Sequence, residues 1–273
     1  MPESMEKKYT IGAFAAISGV SPDTLRLYEK LNIVCPHKNC NNNYRYYNDL
    51  DIRNVLMSRW YRSLNISLHD VSNLMNGGNS RQIIDRIAES KQNLEEHIRN
   101  CTLLLAKLND IHKESEDIED RINQCQIKHI PGRYRIKQTC QNSLLREFDW
   151  ESTIREWMDL LPHTFFSFRI ENTHEITCNP LQYNWGICLT EDDAAKLQVT
   201  VPDEVEYLPP TRCLSSVVHT SPQAPFSMKS FAFMLEEIAN QGLEIKGDIT
   251  GKIILTEHIE QTLSSYLEVN IPV

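Results

Sequence analysis

Hydroxyl and guanidinium side chains that could contact a phosphate backbone lie close together near the start of the chain. Ser21 and Thr24 fall in the first turn of a predicted helix, and Arg26 follows two residues later. Short hydroxyls at such a position can approach base edges or phosphates, and a guanidinium can clamp a phosphate. The competing interpretation is that Arg26 only pairs with Glu29 or Glu6 within the protein.

A second group of side chains with the same chemistry is formed by Tyr44, Arg45 and Tyr46. Arg45 supplies positive charge, and the two phenols can donate hydrogen bonds to phosphate oxygens. The alternative is that the tyrosines only pack the local structure. For Tyr28 and Tyr47, packing and contact are both open.

The C-terminal half offers a different chemistry, because it is rich in large aromatic side chains. Strand alternation places Tyr183 and Trp185 on one face of a strand, and Tyr266 and Glu268 on one face of another. An aromatic box with a carboxylate, Glu268 or Glu257, would bind a lipophilic cation through Coulomb and cation–π attraction. The alternatives are an aromatic core and an exposed strand glutamate.

Metal chemistry is a weaker prediction. Cys35, His37 and Cys40 form a Cys-x-His-x2-Cys pattern, but no fourth ligand is evident and a loop is a poor cage for zinc. Cys125 has no clustered partner. The eight cysteines are scattered through a chain long enough to bury a core without disulfides, so reduced thiols are expected. We predict neither a metal nor a cofactor.

The charge is distributed unevenly along the chain, whose formal net charge is −9. Residues 1–80 carry nine Lys and Arg against seven Asp and Glu, or +2, whereas the remainder carries 19 against 30, or −11. A nucleic-acid surface therefore belongs at the N-terminal end. No apolar run is long enough to cross a bilayer, and the charged start does not resemble a signal peptide, so we expect a cytoplasmic protein without a membrane partner.

The elements that must position the first two groups are short helices and a hairpin. Thr10 caps one predicted helix, and Ser21 caps a second that runs to Lys30. Two helices joined by a short glycine-containing turn are the helix-turn-helix signature. The asparagine-rich stretch 39–43, between β-prone pieces, predicts a hairpin wing, and helices are expected over 49–64 and 68–75.

A long helix is predicted from Arg81 to Gln126, which contains no Pro or Gly. Mostly apolar residues recur every seven positions in two rows, which is typical of a coiled-coil seam and predicts a homodimer. The two rows are Ile87, Leu94, Cys101, Leu108, Ser115 and Ile122, and Leu104, Ile111, Ile118 and Cys125. The alternative is a helix that packs on its own domain.

The remainder of the chain alternates strands and helices, in an order that recurs as two strand-helix-strand-strand units. This order suggests an internal duplication, although no repeat is visible residue by residue. The sequence therefore predicts an α+β chain with a winged helix-turn-helix over 1–80, a dimerising helix over 81–126 and a sensor domain over 127–273.

The first segment resembles the MerR family of transcription regulators. The resemblance lies in Tyr9-Thr10-Ile11-Gly12, Ser21-x2-Thr24-Leu25-Arg26-x-Tyr28-Glu29 and Asn43-Tyr44-Arg45-Tyr46-Tyr47. Asn32 and Asn43 stand where that family usually has glycine, and asparagine tolerates left-handed backbone best among the other residues. The third segment is similar to the GyrI-like effector-binding domain of Bmr-type multidrug regulators, through its duplicated order and its ending, residues 267–273.

The resemblance implies a function and a set of site residues. Dimers of this family bind a pseudo-palindromic promoter with an over-long spacer, and effector binding distorts the DNA so that RNA polymerase can engage. The implied DNA contacts are Thr10, Ser21, Thr24, Arg26, Tyr28, Tyr44, Arg45 and Tyr46. Some GyrI-like domains are hydrolases, with Glu268 and Tyr183 here as base and acid. We expect a regulator, not an enzyme; a structural DNA-bridging protein is a further alternative.

Overall fold

The computed structural model describes residues 8–39, 44–116, 118–141, 143–145, 150–171, 181–259 and 262–273. The predicted tip of the wing, with Cys40 and Asn43, lies outside the described residues, as does Glu6. The chain is an α+β protein with two compact units, Met1–Asn100 and Cys101–Val273. None of its described helices is both long and apolar enough to span a membrane.

The first unit is built from short helices and a small antiparallel sheet. Its helices are α1 (Ile11–Ser18), α2 (Pro22–Lys30), α3 (Asp49–Ser63) and α4 (Leu68–Gly77). Its strands are β1 (Tyr9–Thr10), β2 (His37–Lys38) and β3 (Arg45–Tyr47), in the sheet order β1-β3-β2. This is the predicted helix-turn-helix followed by a hairpin.

Local chemistry explains where α1 and α2 begin and end. Thr10 Oγ1 accepts the Ala13 N–H at 3.5 Å, and Ser21 Oγ accepts the Thr24 N–H at 3.1 Å, as expected of helix N-caps. Gly19, with φ of 65°, ends α1 in the left-handed conformation. Asn32 has φ of 53°, so it adopts the left-handed backbone predicted for it.

The core of the first unit lies between the helices and the small sheet. Phe14 and Tyr47 are fully buried, and their rings stack with centroids 4.6 Å apart. Leu25 and Tyr28 from α2 pack into the same cluster. The buried side of α2 therefore fixes its orientation, while Ser21 and Arg26 stay on the exposed side.

The long helix α5 (Ser80–Glu116) has 37 residues and no buried side chain. It ends ten residues before the predicted Gln126 because the chain turns onto the sheet of the second unit. Ile118 is buried there, and Ile122 bridges to Val217. Asn123 has φ of 60° and donates its N–H to the Val217 carbonyl at 2.9 Å, which is incompatible with a continuing helix.

The second unit is dominated by one antiparallel sheet of eight strands. The strands are β4 (Gln126–Ile130), β5 (Arg133–Lys137), β8 (Thr164–Ile170), β9 (Asn184–Thr190), β10 (Glu206–Leu208), β11 (Thr211–Thr220), β12 (Ile249–Ile259) and β13 (Thr262–Pro272). A separate pair is formed by β6 (Thr139–Cys140) and β7 (Ser143–Leu144). The helices are α6 (Glu151–Asp159), α7 (Glu191–Leu197) and α8 (Ala232–Asn240), with a 3-10 turn over Met228–Phe231.

The strand order supports the predicted duplication. It reads β10-β5-β9-β8-β12-β13-β11-β4, so β5-β9-β8 is followed by the same three-strand arrangement in reverse, β12-β13-β11. The two repeats meet at the β8–β12 pair, and β10 and β4 extend the two ends. The sequence did not predict β4, β10 or α7.

The two faces of this sheet have different chemistry. Alternate residues of β13 (Leu267, Val269 and Ile271) pack with α8 in the main hydrophobic core. Glu268 and Asn270, between them, point to the opposite face and are also buried. A polar, buried sheet face is unusual unless it lines a site, because buried polar groups need partners.

Candidate nucleic-acid interface and ligand cavity

The start of α2 presents two hydroxyls at its positive end. Ser21 Oγ lies 2.9 Å from Thr24 Oγ1, in addition to capping the helix. Ser21 is exposed and Thr24 is partly exposed. Helix N-termini attract anions through their dipole and their N–H groups, so this end of α2 is suited to a phosphate.

Arg26 forms an ion pair with Asp23 and none with the predicted partner Glu29; the other predicted partner, Glu6, lies outside the described residues. The Nη1 of Arg26 donates to the Asp23 carboxylate one turn earlier on α2. The two side chains are 54% and 88% exposed, and pairs this exposed contribute about 0–1 kcal/mol. Breaking this ion pair would therefore cost little free energy.

Glu29 ties the hairpin to α2. Its carboxylate accepts Arg45 Nε at 2.6 Å and lies 3.1 Å from Lys38 Nζ. Burial opposes ionisation of Glu29, but the bonds to Arg45 and Lys38 outweigh it and hold its pKa below the ordinary value. The bond to Glu29 uses one of the five N–H donors of the Arg45 guanidinium. It therefore orients the side chain and leaves donors for another acceptor.

The tyrosines divide into exposed and buried pairs. Tyr44 is 61% exposed and Tyr46 is partly exposed, so both phenols are accessible. Tyr28 and Tyr47 are 5% and 0% exposed and belong to the core of the first unit. Packing in this core accounts for both side chains, and a DNA contact by Tyr28 stays a prediction. Thr10 is exposed but acts as a helix cap.

A cavity of about 280 Å³ lies in the second unit, between the C-terminal part of α5 and the polar face of the sheet. Its charged lining residues are Lys107, Asp110, Glu114, Arg133, Lys252 and Glu268. Its apolar lining residues are Ile111, Ile130, Pro131, Pro162, Phe165, Ile253 and Ile254. The combination of apolar walls and a few fixed polar groups is typical of a small-molecule site.

Ion pairs neutralise most of the charge around this cavity. Lys107 Nζ lies 2.7 Å from Asp193 Oδ2, and Lys252 Nζ lies 2.7 Å from Glu114 Oε1. Both pairs join α5 to the rest of the second unit, and all four side chains are less than a third exposed. Pairs in such partly buried positions are screened less by salt than surface pairs.

Glu268 is also compensated by cations of the protein. Its Oε1 lies 2.5 Å from Lys128 Nζ. Burial raises its pKa, but the charges of Lys252 and Lys128 together prevail and hold the pKa of this carboxyl below its ordinary value. Glu268 is therefore an ionised, already paired carboxylate.

The structure does not assemble the predicted aromatic box. Trp185 packs edge-on against Phe168 at 5.6 Å, and Tyr183 packs beside it, both on the core face of the sheet. Glu268 lines the cavity on the opposite face. Tyr266 lies on that face but donates to Glu257 Oε1 at 3.3 Å, and neither lines the cavity. The alternation of side chains along a strand shows which residues of that strand share a face. It does not show which faces of two different strands lie on the same side of the sheet.

Sequence reasoning missed most of the cavity lining. Lys107, Asp110 and Glu114 follow each other by three and four residues, a spacing that puts them on one helix face. This polar row lies beside the apolar row that contains Ile111, and it is the sequence feature from which these lining residues could be predicted. Arg133 and Lys252 could not be found from spacing, because the sheet brings them together from distant strands.

The lowered pKa of Glu268 predicts a pH-dependent stability. A carboxyl with a depressed pKa stabilises the fold above its unfolded pKa, and this contribution is lost as the pH falls through the folded value. We expect Glu268→Gln to destabilise the second unit at neutral pH, and the difference from the parent protein to shrink below pH 4.5, the ordinary value for this group. Urea unfolding across this range measures it. Glu156→Gln, an exposed control on α6, should show no comparable convergence, and a constant difference for Glu268→Gln would contradict the prediction.

The described residues contain no group of three or more His, Cys, Asp or Glu placed to hold a metal ion. Cys35 of the predicted pattern is exposed. Its backbone N–H donates to Asp51 Oδ1 at 3.1 Å. Its partner in the pattern, Cys40, lies outside the described part of the chain.

Comparison with known proteins gives the following matches. Residues 9–78 match the family described as MerR HTH family regulatory protein. The uncharacterized HTH-type transcriptional regulator PA4778 of Pseudomonas aeruginosa is 29% identical over 121 residues, covering 44% of this chain and 88% of that protein. The nodulation protein NolA of Bradyrhizobium elkanii is 25% identical over 166 residues, covering 58% of this chain and 74% of that protein. The match to a chain in a cryo-EM structure of an EcmrR–DNA complex covers 97% of this chain and 99% of that chain. The two are 17% identical, and the TM-score is 0.36.

The matched region coincides with the interface residues described above. It begins at β1, spans the helix-turn-helix and the hairpin, and ends just after α4. Ser21, Arg26 and Arg45 all lie inside it. Residues 9–78 are therefore a helix-turn-helix region of the MerR type.

Proposed function

We propose that this protein is a dimeric regulator that binds promoter DNA through α2 and the β2–β3 hairpin, and a small-molecule effector in the cavity of its second unit. The observation that carries the proposal is the exposed start of α2, where Ser21, Thr24 and Arg26 face solvent beside a hairpin oriented by Glu29. The same surface bears the family's motif. The proposed DNA contacts are Ser21, Thr24, Arg26, Tyr44, Arg45 and Tyr46, and Thr10 is a further candidate.

The exposed apolar side chains of α5 support a homodimer. Leu94, Ile98, Leu105 and Leu108 are 47%, 56%, 60% and 50% exposed. Their spacing of four, seven and three residues forms one stripe along the helix. Solvated leucines at this spacing need a partner helix, and a second copy of α5 provides the matching stripe.

The second predicted apolar row has another role. Ile111 lines the cavity, and Ile118 is buried against the sheet, so these two members of the row pack within the chain's own second unit. A dimer seam and packing on the chain's own domain are the two interpretations of the long helix, and each fits one of its sides. One side is suited to a second copy, and the other borders the effector cavity.

This arrangement supports the regulatory mechanism that the family implies. An effector in the cavity contacts α5 through Lys107, Ile111 and Glu114, on the helix side opposite the proposed dimer stripe. A change at the cavity can thus alter how two copies of α5 pair. We propose that this shift changes the spacing of the two DNA-binding units on a pseudo-palindromic promoter, so that RNA polymerase engages its over-long spacer.

The hydrolase alternative lacks geometric support. It requires Glu268 as base and Tyr183 as acid, but these side chains are on opposite faces of the sheet. In addition, Glu268 is a buried carboxylate paired with Lys128, and a lowered pKa makes it a weaker base. We therefore propose binding, not turnover, in the cavity.

The proposed function predicts that Arg26→Ala and Arg45→Ala each weaken operator binding by about 1–3 kcal/mol and reduce the salt dependence by roughly one phosphate contact. The operator is first selected from a random duplex library with the full-length protein. Binding is then measured by footprinting over a range of salt concentrations. Arg155→Ala is the control, because Arg155 is an exposed, ion-paired arginine of the second unit.

Two results would count against the proposal. One is a failure of the parent protein to select any duplex sequence at low salt. The other is equal affinity and equal salt slope for Arg26→Ala, Arg45→Ala and Arg155→Ala.

A further inference from the structure

Arg133 is a buried cation without a carboxylate partner in the described part of the chain. It is 8% exposed and lies on β5, on the polar face of the sheet. Its guanidinium donates to Thr250 Oγ1 at 2.7 Å, and no described acidic side chain forms an ion pair with it. Burying an unpaired charge is costly, so such groups are kept where something compensates them.

The other cations around the cavity are paired. Lys107 lies beside Asp193, Lys252 beside Glu114, and Lys128 beside Glu268. Arg169, near Arg133, bonds both Asp248 and Glu206. Arg133 therefore differs from these neighbouring cations, because no described carboxylate forms an ion pair with it.

Arg133 lines two cavities. It lines the cavity of about 280 Å³ described above. It also lines a smaller one of about 160 Å³, together with Arg169 and Lys246. Thr250 engages one terminal nitrogen, which leaves other donors of the planar guanidinium for a second acceptor.

A purely structural role is filled better by Arg135, two residues along the same strand face. Arg135 is 1% exposed, lines neither cavity and donates to Asn184 Oδ1 at 2.5 Å. It crosses between strands inside the protein. Arg133, by contrast, lines a cavity whose apolar walls include Ile130 and Phe165.

We propose that the effector carries an anionic group, a carboxylate or a group of similar charge, and that Arg133 binds it in the larger cavity. This inference rests on the proposed function. The apolar part of the ligand then lies against Ile130, Phe165 and Ile254. Asp110 also lines the cavity but is exposed, so water screens its repulsion of an anion. The lipophilic cation expected from the sequence has no unpaired buried carboxylate to meet among the described lining residues.

The test compares ligands that differ only in charge. Full-length protein is titrated with small carboxylic acids (benzoate, cinnamate and hexanoate), with their primary amides, and with the cations tetraphenylphosphonium and benzyltrimethylammonium. Thermal unfolding and tryptophan fluorescence report binding. We expect acids to bind at least tenfold more tightly than their amides, and Arg133→Gln to weaken acid binding roughly ten- to a hundredfold, as expected when a charged hydrogen-bond partner is lost.

Two further variants keep the result interpretable. Arg133→Lys retains the charge in a smaller group, so it should keep part of the acid preference even if Arg133→Gln folds poorly. Lys246→Gln removes a cation that lines only the smaller cavity and should leave acid binding unchanged. Equal losses in Lys246→Gln and Arg133→Gln would assign the acid to the smaller cavity and overturn the proposal.

Other outcomes would also overturn it. These are binding of the cations in preference to the acids, acid binding that is unaffected in Arg133→Gln, and no stabilisation by any acid of the panel. Operator selection without a ligand is measured on the same protein. A failure of the effector proposal with intact DNA binding is thereby distinguished from a failure of the proposed function.

Discussion

Replacing Leu94 and Leu108 with glutamate is expected to convert the protein to a monomer and to abolish specific promoter binding. Both leucines are about half exposed and lie two heptads apart on α5. Burying a leucine against a partner contributes about 1.5–3 kcal/mol, and four such side chains per dimer are lost in the double variant. The new carboxylates would also face each other across the seam.

The effect on DNA follows from the loss of the second half-site contact. Two linked binding units hold a site roughly a hundredfold or more tightly than one, because the second contact is intramolecular. Sedimentation measures the oligomeric state, and footprinting measures the affinity. We expect the double variant to remain folded, since no residue of α5 is buried in the single chain.

The matched control moves the same charges to the other side of the helix. Gln92 and Ala106 are exposed and each precedes a stripe leucine by two residues, which is about 200° of rotation. Gln92→Glu with Ala106→Glu should stay dimeric. A dimeric Leu94→Glu, Leu108→Glu protein, or a monomeric control, would show that the stripe is not the dimer contact.

Much of the first unit could be predicted because its determinants are local. Ser21 caps α2 within three residues of its partner, and Asn32 adopts the left-handed conformation expected of it. Both features follow from local preferences of single residue types: serine favours the N-cap of a helix, and asparagine tolerates a positive φ. The sequence therefore predicted the helix-turn-helix and its exposed end from a few neighbouring residues.

The end of α5 and the cavity could not be predicted in the same way. Apolar periodicity continues through Ile118 and Ile122, but these side chains pack on a sheet that lies far away in sequence. Periodicity reports that a side chain is buried, not what covers it. For this reason the apolar pattern predicts a helix that ends ten residues beyond the end of α5.

Long-range pairing explains why the sequence predicts the lining of the candidate cavity only in part. Glu268 was identified as a candidate, yet its partner Lys128 is 140 positions away, and Lys107 is 86 positions from Asp193. Such pairs depend on the order of strands in the sheet. Alternation within β9 and β13 could not tell that Trp185 and Glu268 face opposite sides.

Gly251 gives the second large expected effect, because it leaves room for the Phe168 ring at the junction of the two repeats. A Cβ at position 251 would lie 2.0 Å from the Glu268 carbonyl oxygen and 2.4 Å from Phe168 Cε1. Phe168 is fully buried in the main core, and Gly251 pairs with it across β8 and β12. Neither the ring nor the β13 backbone can move without disturbing the sheet.

We therefore expect Gly251→Ala to destabilise the second unit by about 3 kcal/mol, the upper end of the cost of overpacking, and Gly251→Val to prevent its folding. Urea unfolding followed by tryptophan fluorescence measures this, since Trp157 and Trp185 report on that unit.

Gly247→Ala separates steric conflict from a general intolerance of side chains at glycine positions. A Cβ at position 247 would meet its nearest neighbour, Pro272 Cγ, at 3.7 Å, an ordinary contact. The free energy of unfolding should then change by less than about 0.5 kcal/mol. If Gly251→Ala were equally harmless, β12 and β13 would have to separate more easily than their pairing indicates. If both variants were destabilised alike, the lost freedom of glycine and not the Phe168 contact would be the cause.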